Sequence, residues 1–293
     1  MDGHLRSTEF GRLALLASSG GPDNERAHIR SRHRVNPSGA TNRNGQPLGS
    51  KSDWLDAYFE TMIKEGMYST KRRLRFHLDN IFSGIDLVGK SMLDVGGGSG
   101  MYSLYGACSG GRSVVCLEPE KAGSGQGVRS RAERIAGRLG VNNLEILPST
   151  LQKYDSAGNR FDIVLLHDSV NHLDEHACVR LLHDEQAFLR YQEIFSRLSE
   201  LASPGAVLIV ADCSRHNFFQ QIRIRNPLCR SIEWEKHQSP QTWARMLEQH
   251  GFTDKKIRWS SFNSLGRWGR LILGNKLASY FLTSHFVLTM RKR

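Results

Sequence analysis

Histidine and acidic side chains gather at the ends of predicted strands in this chain. His167 and Asp168 follow the apolar run of residues 161–166, and His172 stands a few residues further on. An imidazole titrates near neutral pH and can take the proton of a hydroxyl, while a neighbouring carboxylate orients the ring. We therefore predict a general base among His172, His167 and His237, with Asp168 in the orienting role. His172 is the favoured base because it stands beyond the strand end, where a substrate could reach it.

A glycine-rich turn follows an earlier predicted strand. Residues 94–100 read Asp-Val-Gly-Gly-Gly-Ser-Gly, and the glycines are Gly96, Gly97, Gly98 and Gly100. Glycines let the backbone approach a ligand closely, and the helix predicted to follow would present unpaired N–H groups. The next apolar run ends at Glu118, which is followed by Pro119. A carboxylate at that strand end is placed to accept hydrogen bonds from ribose hydroxyls.

The spacing of the glycines separates two classes of nucleotide ligand. A dinucleotide fingerprint, G-x-G-x-x-G, would place its third glycine where Met101 stands. The run from Asp94 to Gly100 instead reads D-x-G-x-G-x-G and resembles motif I of the class I S-adenosylmethionine-dependent methyltransferases. The resemblance implies that Asp94 orients the loop and the amino-acid part of S-adenosyl-L-methionine. It also implies that the glycines line the methionine part and that Glu118 holds the ribose.

Two later segments extend the resemblance. In the family the residue after the third strand often contacts the adenine amino group, and here Ser149 and Thr150 could supply a hydroxyl acceptor at that place. Residues 167–172 resemble the motif IV region of the family. The resemblance therefore places His167 and Asp168 beside the cofactor as well as beside the acceptor. Pro119 is assigned to the same cofactor site.

The order of the predicted elements indicates an α/β fold. We predict a doubly wound, seven-stranded, mostly parallel sheet with helices on both faces, in the family order over residues 85–290. Residues 255–259 and 284–290 are its predicted antiparallel pair. The predicted domains are a disordered basic tail over 1–50, a helical cap or lid over 51–84, and a methyltransferase domain over 85–293 with an insertion near 213–238.

Helix signals mark the elements that must position these residues. Ser52 is the predicted N-cap of the first helix, and a single long helix is predicted over residues 175–201. Ser239 and Pro240 begin a well-defined later helix. Three residues of the N-terminal helical region are candidates for either lid or core positions: Tyr58, Tyr68 and His77.

Composition limits the classes of protein that fit. At 293 residues with 39% hydrophobic content, the chain is long enough for a substantial core. No apolar run approaches the length of a membrane span, and the first residues do not make a secretory signal. The five dispersed cysteines lack a C-x-x-C pair, which favours reduced thiols and a cytoplasmic protein.

The positive charge indicates an anionic partner. Net charge is +11, and residues 255–293 contain nine basic residues and no acid. Nucleic acid is one candidate partner, with the basic region as its electrostatic footprint. An anionic membrane near a lipid-linked acceptor is another, because residues 268–282 are apolar on one side with basic flanks. Oligomeric state is not set by the sequence.

The leading functional interpretation is an S-adenosylmethionine-dependent O-methyltransferase for a small-molecule or glycan-type hydroxyl. Methyl transfer needs alignment and exclusion of water, and a hydroxyl acceptor also needs a base. Methylation of nucleobase amino groups is disfavoured, because residues 167–170 lack the proline and aromatic turn of those enzymes. The leading interpretation uses no metal. A metal-assisted variant would draw on Asp168 and Asp212, with Asn217 or His216 as a third ligand.

Overall fold

A computed structural model describes residues 50–120, 125–260 and 262–293. The predicted N-terminal tail therefore lies, except for its last residue, outside the described residues. Seven strands form one sheet, with the bounds β1 Ser91–Val95, β2 Ser113–Leu117, β3 Leu144–Leu147, β4 Phe161–His167, β5 Ala202–Cys213, β6 Phe252–Trp259 and β7 His285–Lys292.

The strand order across the sheet is β3-β2-β1-β4-β5-β7-β6. The first five strands pair in parallel, whereas β7 pairs antiparallel with both β5 and β6. The predicted doubly wound, seven-stranded sheet is confirmed. Parallel strands covered on both faces are expected to be apolar along their whole length, and β1 is buried at all five positions.

Ten α-helices connect and cover these strands. Their bounds are α1 Lys51–Lys64, α2 Lys71–Ile81, α3 Met101–Cys108, α4 Val128–Leu139, α5 Glu175–Arg180, α6 Glu185–Leu201, α7 Phe218–Gln221, α8 Pro240–Glu248, α9 Gly266–Leu273 and α10 Lys276–Phe281 among the described residues. Ser239 accepts a hydrogen bond from the N–H of Thr242 and Pro240 stands in the first turn, so the predicted start of α8 is confirmed.

Two apolar cores lie on opposite faces of the sheet. Side chains of α5, α6 and α8 fill one core, and side chains of α1 to α4 fill the other. The alternation along β5 divides its residues between them: Leu208 and Val210 face the first core, whereas Ile209 and Ala211 face the second. Helices α1 and α2 therefore pack on the sheet through a core that they share with α3 and α4.

Two helix predictions were wrong in detail. Ser50, not Ser52, caps α1: its hydroxyl accepts from the N–H of Asp53, and the Asp53 carboxylate accepts from the N–H of Ser50. The predicted helix over residues 175–201 is two helices. It breaks because the Asp184 carboxylate accepts the N–H groups of Gln186 and Ala187 and so starts a new helix.

No helix within the described ranges is both long and apolar enough to cross a bilayer. This finding concerns spanning segments alone.

Glu65 joins the end of α1 to α4. At the C-terminal end of α1, its carboxylate contacts Arg138 at 2.5 Å and Arg134 at 3.0 Å, and Arg131 at 3.7 Å. The Arg131 guanidinium also donates to the Glu65 carbonyl oxygen. The hydrogen bond from Arg134 is the largest of the effects that hold the pKa of Glu65 below its ordinary value. One carboxylate thus fixes α1 against three arginines of α4.

We expect Glu65→Gln to lower the melting temperature by about 2–4 °C, because the arginine cluster loses its counter-charge. The lowered pKa of Glu65 makes this stabilisation present at neutral pH and lost as the pH falls through the folded-state value. Thermal unfolding followed by circular dichroism measures the change. Glu133→Gln, which removes a single exposed pair with Arg129 at 3.6 Å, is the control and should change little. Equal effects of the two variants would contradict this account.

Candidate functional site

The candidate site lies where the direction of winding of the sheet reverses. β1 and β4 are neighbours, and the chain leaves them toward opposite ends of the sheet. Ligands of open α/β sheets bind in the crevice at the carboxyl ends of such strands. The two strand ends are tied together here, since the Ser169 hydroxyl donates to the carbonyl oxygen of Val95 at 2.6 Å. The glycine-rich turn and residues 167–168 therefore lie at one crevice.

The glycine-rich turn after β1 is packed tightly on the protein side and open on the other. A Cβ on Gly96 would lie 2.7 Å from the Cβ of Ser169, and one on Gly100 would lie 2.9 Å from the Cβ of Ala132. Gly98 has a φ of +54°, and no atom of the described residues lies within 4 Å of its ideal Cβ position. A ligand that approaches the turn can therefore reach the backbone at Gly98.

Asp94 lies under this turn, and the hydrogen bonding of its buried carboxylate is incomplete among the described residues. Its Oδ2 accepts from the Ser103 hydroxyl at 2.5 Å, and a Cβ on Gly97 would lie 2.8 Å from the same oxygen. Its Oδ1 is buried and has no hydrogen-bond partner among the described residues. Burial raises the pKa of Asp94 to about 6. A buried oxygen without a partner marks a place where a donor of a ligand would be stabilised.

Glu118 braces the turn from the end of β2. Its side chain is fully buried, and its two carboxylate oxygens accept from the N–H of Gly98 at 2.8 Å and from the N–H of Glu120 at 2.7 Å. The carboxylate is thus close to the predicted position but enclosed by the turn. Contact between Glu118 and a ribose remains a prediction, and it requires the turn to open above this side chain.

Pro119, Ser149 and Thr150 follow the neighbouring strands β2 and β3. All three are half-buried, so they remain accessible from the crevice side of the sheet. The Ser149 hydroxyl donates to the carbonyl oxygen of Thr150 at 3.2 Å. This leaves the oxygen of that hydroxyl able to accept a further hydrogen bond.

His167 and Asp168 form a pair at the end of β4. The His167 Nδ1 lies 3.2 Å from the Asp168 Oδ2, and the Asp168 side chain keeps 45% of its exposure. Removal from water disfavours the charged form of both side chains. Their mutual attraction nevertheless raises the pKa of His167 and lowers that of Asp168. Asp168 has a φ of +48°, an uncommon conformation for a residue with a side chain.

Aromatic side chains from the helical cap and α3 enclose His167. The ring of Tyr102 lies 4.4 Å from that of His167, and His77 Nε2 lies 2.7 Å from the Tyr102 hydroxyl. Burial lowers the pKa of His77 to about 3, so His77 is neutral near pH 7. Tyr68 stacks on His77. Tyr58 is fully buried and donates to the Met101 carbonyl, so it occupies a core position.

A second pair lies at the end of the next strand. The His237 Nδ1 lies 2.9 Å from Oδ1 of Asp212, whose side chain is fully buried at the end of β5. Desolvation alone would lower the pKa of His237, but the attraction of Asp212 raises it. The charge of Asp168 acts on His237 in the same direction. The two histidine–carboxylate pairs are thus electrostatic neighbours.

His172 lies in a different cluster of side chains. Its Nδ1 contacts a carboxylate oxygen of Glu175 at 2.5 Å, and the other oxygen of Glu175 lies 3.4 Å from Lys236 Nζ. His172 therefore belongs to a chain of polar contacts with Glu175 and Lys236 near the start of α5. The structure brings His167, Asp168 and His237 together and places His172 with this other group.

The residues of the metal-assisted variant serve other purposes. Within residues 50–120, 125–260 and 262–293 no group of three histidine, cysteine or acidic side chains could hold a metal ion. The Asn217 amide donates to Leu282 and Ser284, and its oxygen accepts from the N–H of Phe219. Asn217 therefore holds a turn, and the structure gives no support to a metal ligand at this position.

Sequence reasoning missed four partners of the predicted residues: Tyr102, Ser103, Ser169 and Asp212 in its pairing with His237. Asp212 carried a usable signal, because it ends a strand of the predicted parallel sheet. The others are ordinary residues of a helix or turn. Their roles follow from which side chain of a neighbouring element lies opposite them, and this depends on the tertiary packing.

Comparison with known proteins bears on the fold. No family model and no curated protein matches the chain. Phosphoethanolamine N-methyltransferase 2 of Haemonchus contortus, solved with phosphomonomethylethanolamine and S-adenosylhomocysteine, is similar with a TM-score of 0.52. It is 13% identical, over 84% of this chain and 61% of that one. A putative S-adenosylmethionine-dependent methyltransferase of Listeria monocytogenes has a TM-score of 0.51 at 11% identity, over 75% of this chain and 98% of that one.

Sequence identities this low show similarity of fold only. A shared fold does not establish a shared activity. The strand order, the single antiparallel strand inserted beside β5 and these two similarities agree. This chain has the fold of the class I S-adenosylmethionine-dependent methyltransferases.

Proposed function

We propose that the protein is an S-adenosylmethionine-dependent methyltransferase that acts on a hydroxyl of a small-molecule or glycan-type acceptor. One observation carries the proposal. A glycine turn with an open approach at Gly98 shares the crevice edge of the sheet with His237, whose ring is held by the buried carboxylate of Asp212. The turn suits a nucleotide-like cofactor, and the held histidine suits removal of a hydroxyl proton.

The residues around the turn fit the cofactor. When bound, S-adenosyl-L-methionine supplies a methyl group on a positively charged sulfur. The unpartnered Oδ1 of Asp94 and the accessible backbone at Gly98 would hold its amino-acid part. Glu118 and Pro119 would lie toward the ribose, and Ser149 and Thr150 toward the adenine. The position of a third dinucleotide glycine is Met101, the first residue of α3, which favours this cofactor over NAD.

His237 is the proposed general base. With Nδ1–H assigned to the Asp212 contact, Nε2 is left with a lone pair for the hydroxyl proton. Asp212 also stabilises the imidazolium that forms when the proton arrives. The His167–Asp168 pair lies next to it and would orient the acceptor. The hydroxyl preference rests on this arrangement, since a neutral amine can attack without losing a proton first.

The acceptor class is tested by transfer of a tritiated methyl group from S-adenosyl-L-methionine to matched panels of hydroxyl and amine acceptors. We expect product from phenolic or sugar hydroxyls and little from the amines. Transfer to amines alone would contradict the proposed acceptor class while leaving methyl transfer itself intact.

Substitution of two glycines that have open space at the Cβ position, one inside and one outside the candidate site, should separate folding from binding. Gly98→Ala adds a Cβ at a positive φ in open space, so it should cost about 1 kcal/mol of stability and fold normally. Since that space is where the cofactor would lie, affinity for S-adenosylhomocysteine should fall at least about tenfold. Gly158→Ala, the control, also adds a Cβ at a positive φ with no described atom within 4 Å, in the turn ahead of β4, and should cost about 1 kcal/mol without changing the affinity. Unchanged affinity in Gly98→Ala would contradict the assignment.

Cofactor affinity should depend on the ionisation of Asp94. Its pKa in the free protein is about 6, and a ligand that donates to the carboxylate lowers that value. Affinity for S-adenosylhomocysteine should therefore be constant above about pH 6 and fall as the pH drops below it, with proton release on binding. Calorimetric titration from pH 5 to about 8 in two buffers measures both effects. Asp94→Asn should bind weakly and remove the dependence. An equally steep pH dependence in that variant would rule out Asp94 as its source.

The base assignment predicts a distinct pH profile. His237→Gln should lower kcat by about 10²–10⁴-fold, because the proton acceptor is lost. The free base exists above the pKa of His237, which Asp212 raises, so the rate should fall as the pH drops through that value. Asp212→Asn should move this acidic limb to lower pH. His172→Gln is the comparison variant. A large loss there, with His237→Gln nearly unaffected, would identify His172 as the base instead.

A further inference from the structure

Two adjoining segments expose an unusual amount of apolar surface. The described chain has thirteen large hydrophobic side chains that are exposed, and nine of them fall within residues 222–228 and 265–281. We call this set the apolar face: Ile222, Ile224, Leu228, Leu265, Trp268, Leu271, Ile272, Leu277 and Phe281. Such a concentration is unusual for a free surface and marks a place of interaction.

The most exposed members lie on α9 and α10. Trp268, Leu271 and Ile272 are 74%, 75% and 65% exposed, and Leu277 is 70% exposed. The first three have the i, i+3, i+4 spacing of one helical face, so α9 is amphipathic with its apolar side outward. A helix of a globular domain normally turns that side to the core. This orientation needs a partner that accepts apolar side chains.

The segment of residues 222–228 is packed against α10 of the second segment. The ring of Phe218 in α7 lies 5.1 Å from that of Phe281 in α10, and Tyr280 donates to Gln221 at 2.6 Å. The Asn226 amide donates to the carbonyl oxygen of Leu282 at 2.6 Å, which fixes the segment of residues 222–228 to the end of α10. The part of the apolar face formed by residues 222–228 and α10 is therefore held in place by defined contacts.

Positive charge accompanies the apolar face. Residues 213–232 contain four arginines and no acid, and residues 265–281 contain three basic residues and no acid. Arg223 and Arg225 alternate with the exposed Ile222 and Ile224, and Lys276 is exposed at the start of α10. Two arginines of α9, Arg267 and Arg270, share a groove with Asp79 and Asp86. The positive charge is thus strongest at residues 222–228 and at α10.

The apolar face borders the candidate site. Cys213 at the end of β5 pairs with His285 at the start of β7, so both surface segments leave the sheet at its crevice edge. Asn263, just ahead of α9, donates to the Tyr68 hydroxyl at 2.6 Å and lies 3.3 Å from His77 Nδ1. His77 in turn lies beside His167. A partner bound to the apolar face would therefore lie next to the crevice.

We propose that the apolar face is a docking surface for an anionic lipid bilayer. Exposed aliphatic side chains with one tryptophan, interleaved with cations and free of acids, match the interfacial region of such a membrane. Single-stranded RNA binds proteins by stacking its bases on aromatic rings, so RNA binding does not explain the exposed aliphatic side chains. Docking would place the crevice against the membrane surface, where an acceptor that resides in lipid could enter. The docking itself does not depend on methyl transfer.

Flotation of the purified full chain with vesicles tests this proposal. We expect binding to vesicles of phosphatidylcholine with phosphatidylserine, much weaker binding to phosphatidylcholine alone, and release as salt rises. Trp268→Ser combined with Leu271→Ser should weaken binding at least about tenfold, because two inserted side chains are lost. Arg223→Gln, Arg225→Gln and Lys276→Gln together should weaken it by about fivefold for each cation removed.

Val179→Ser combined with Leu189→Ser, at exposed apolar positions of α5 and α6, is the matched control and should bind vesicles as the unchanged protein does. Circular dichroism and S-adenosylhomocysteine binding of every variant show whether the fold is retained, so failure of docking is distinguishable from failure of the proposed function. Absence of binding to anionic vesicles would overturn the proposal. So would self-association, seen by analytical ultracentrifugation, that Trp268→Ser and Leu271→Ser abolish, because a second copy would then cover the face.

Discussion

The turn after β1 can close only because three of its residues lack a Cβ. Asp94 of β1, Cys116 of β2, Ala132 of α4 and Ser169 after β4 approach the backbone of this turn, each closer than a side chain would allow. That convergence joins β1, β2, β4 and α4 at a single point. The crevice, the enclosure of Glu118 and the position of His167 all depend on it. Gly98 is the one glycine of the turn for which no described atom lies within 4 Å of the ideal Cβ position.

Buried carboxylates set the chemistry around this turn. Asp94, Glu118 and Asp212 are each almost wholly removed from solvent, and such groups are costly to ionise unless they are hydrogen-bonded. Glu118 is satisfied by backbone N–H groups, whereas Asp94 and Asp212 each retain one oxygen without a partner among the described residues. The two incompletely satisfied carboxylates lie where a cofactor and a histidine are expected to act. The proposed site therefore contains two buried carboxylates whose hydrogen bonding is incomplete among the described residues.

Local patterns predicted the strands and most helix ends, because apolar runs and capping residues act over a few positions. The sheet order followed from the resemblance carried by Asp94 to Gly100 and by the later segments. The break before Asp184 was missed, since the apolar period continues across it. The His237–Asp212 contact joins residues 25 apart. It depends on the path of the insertion between them, which no local signal sets. Glu118 directly follows β2, as the apolar run indicates, but its burial depends on how the turn folds over it.

The central claim is that the crevice between the ends of β1 and β4 binds S-adenosyl-L-methionine. Calorimetric titration of the unchanged protein with S-adenosylhomocysteine, with NAD in a parallel cell, tests it most directly. The account predicts saturable binding of S-adenosylhomocysteine with one site per chain and no binding of NAD. Binding of NAD in its place, or of neither ligand, would contradict the account and leave only the likeness of fold.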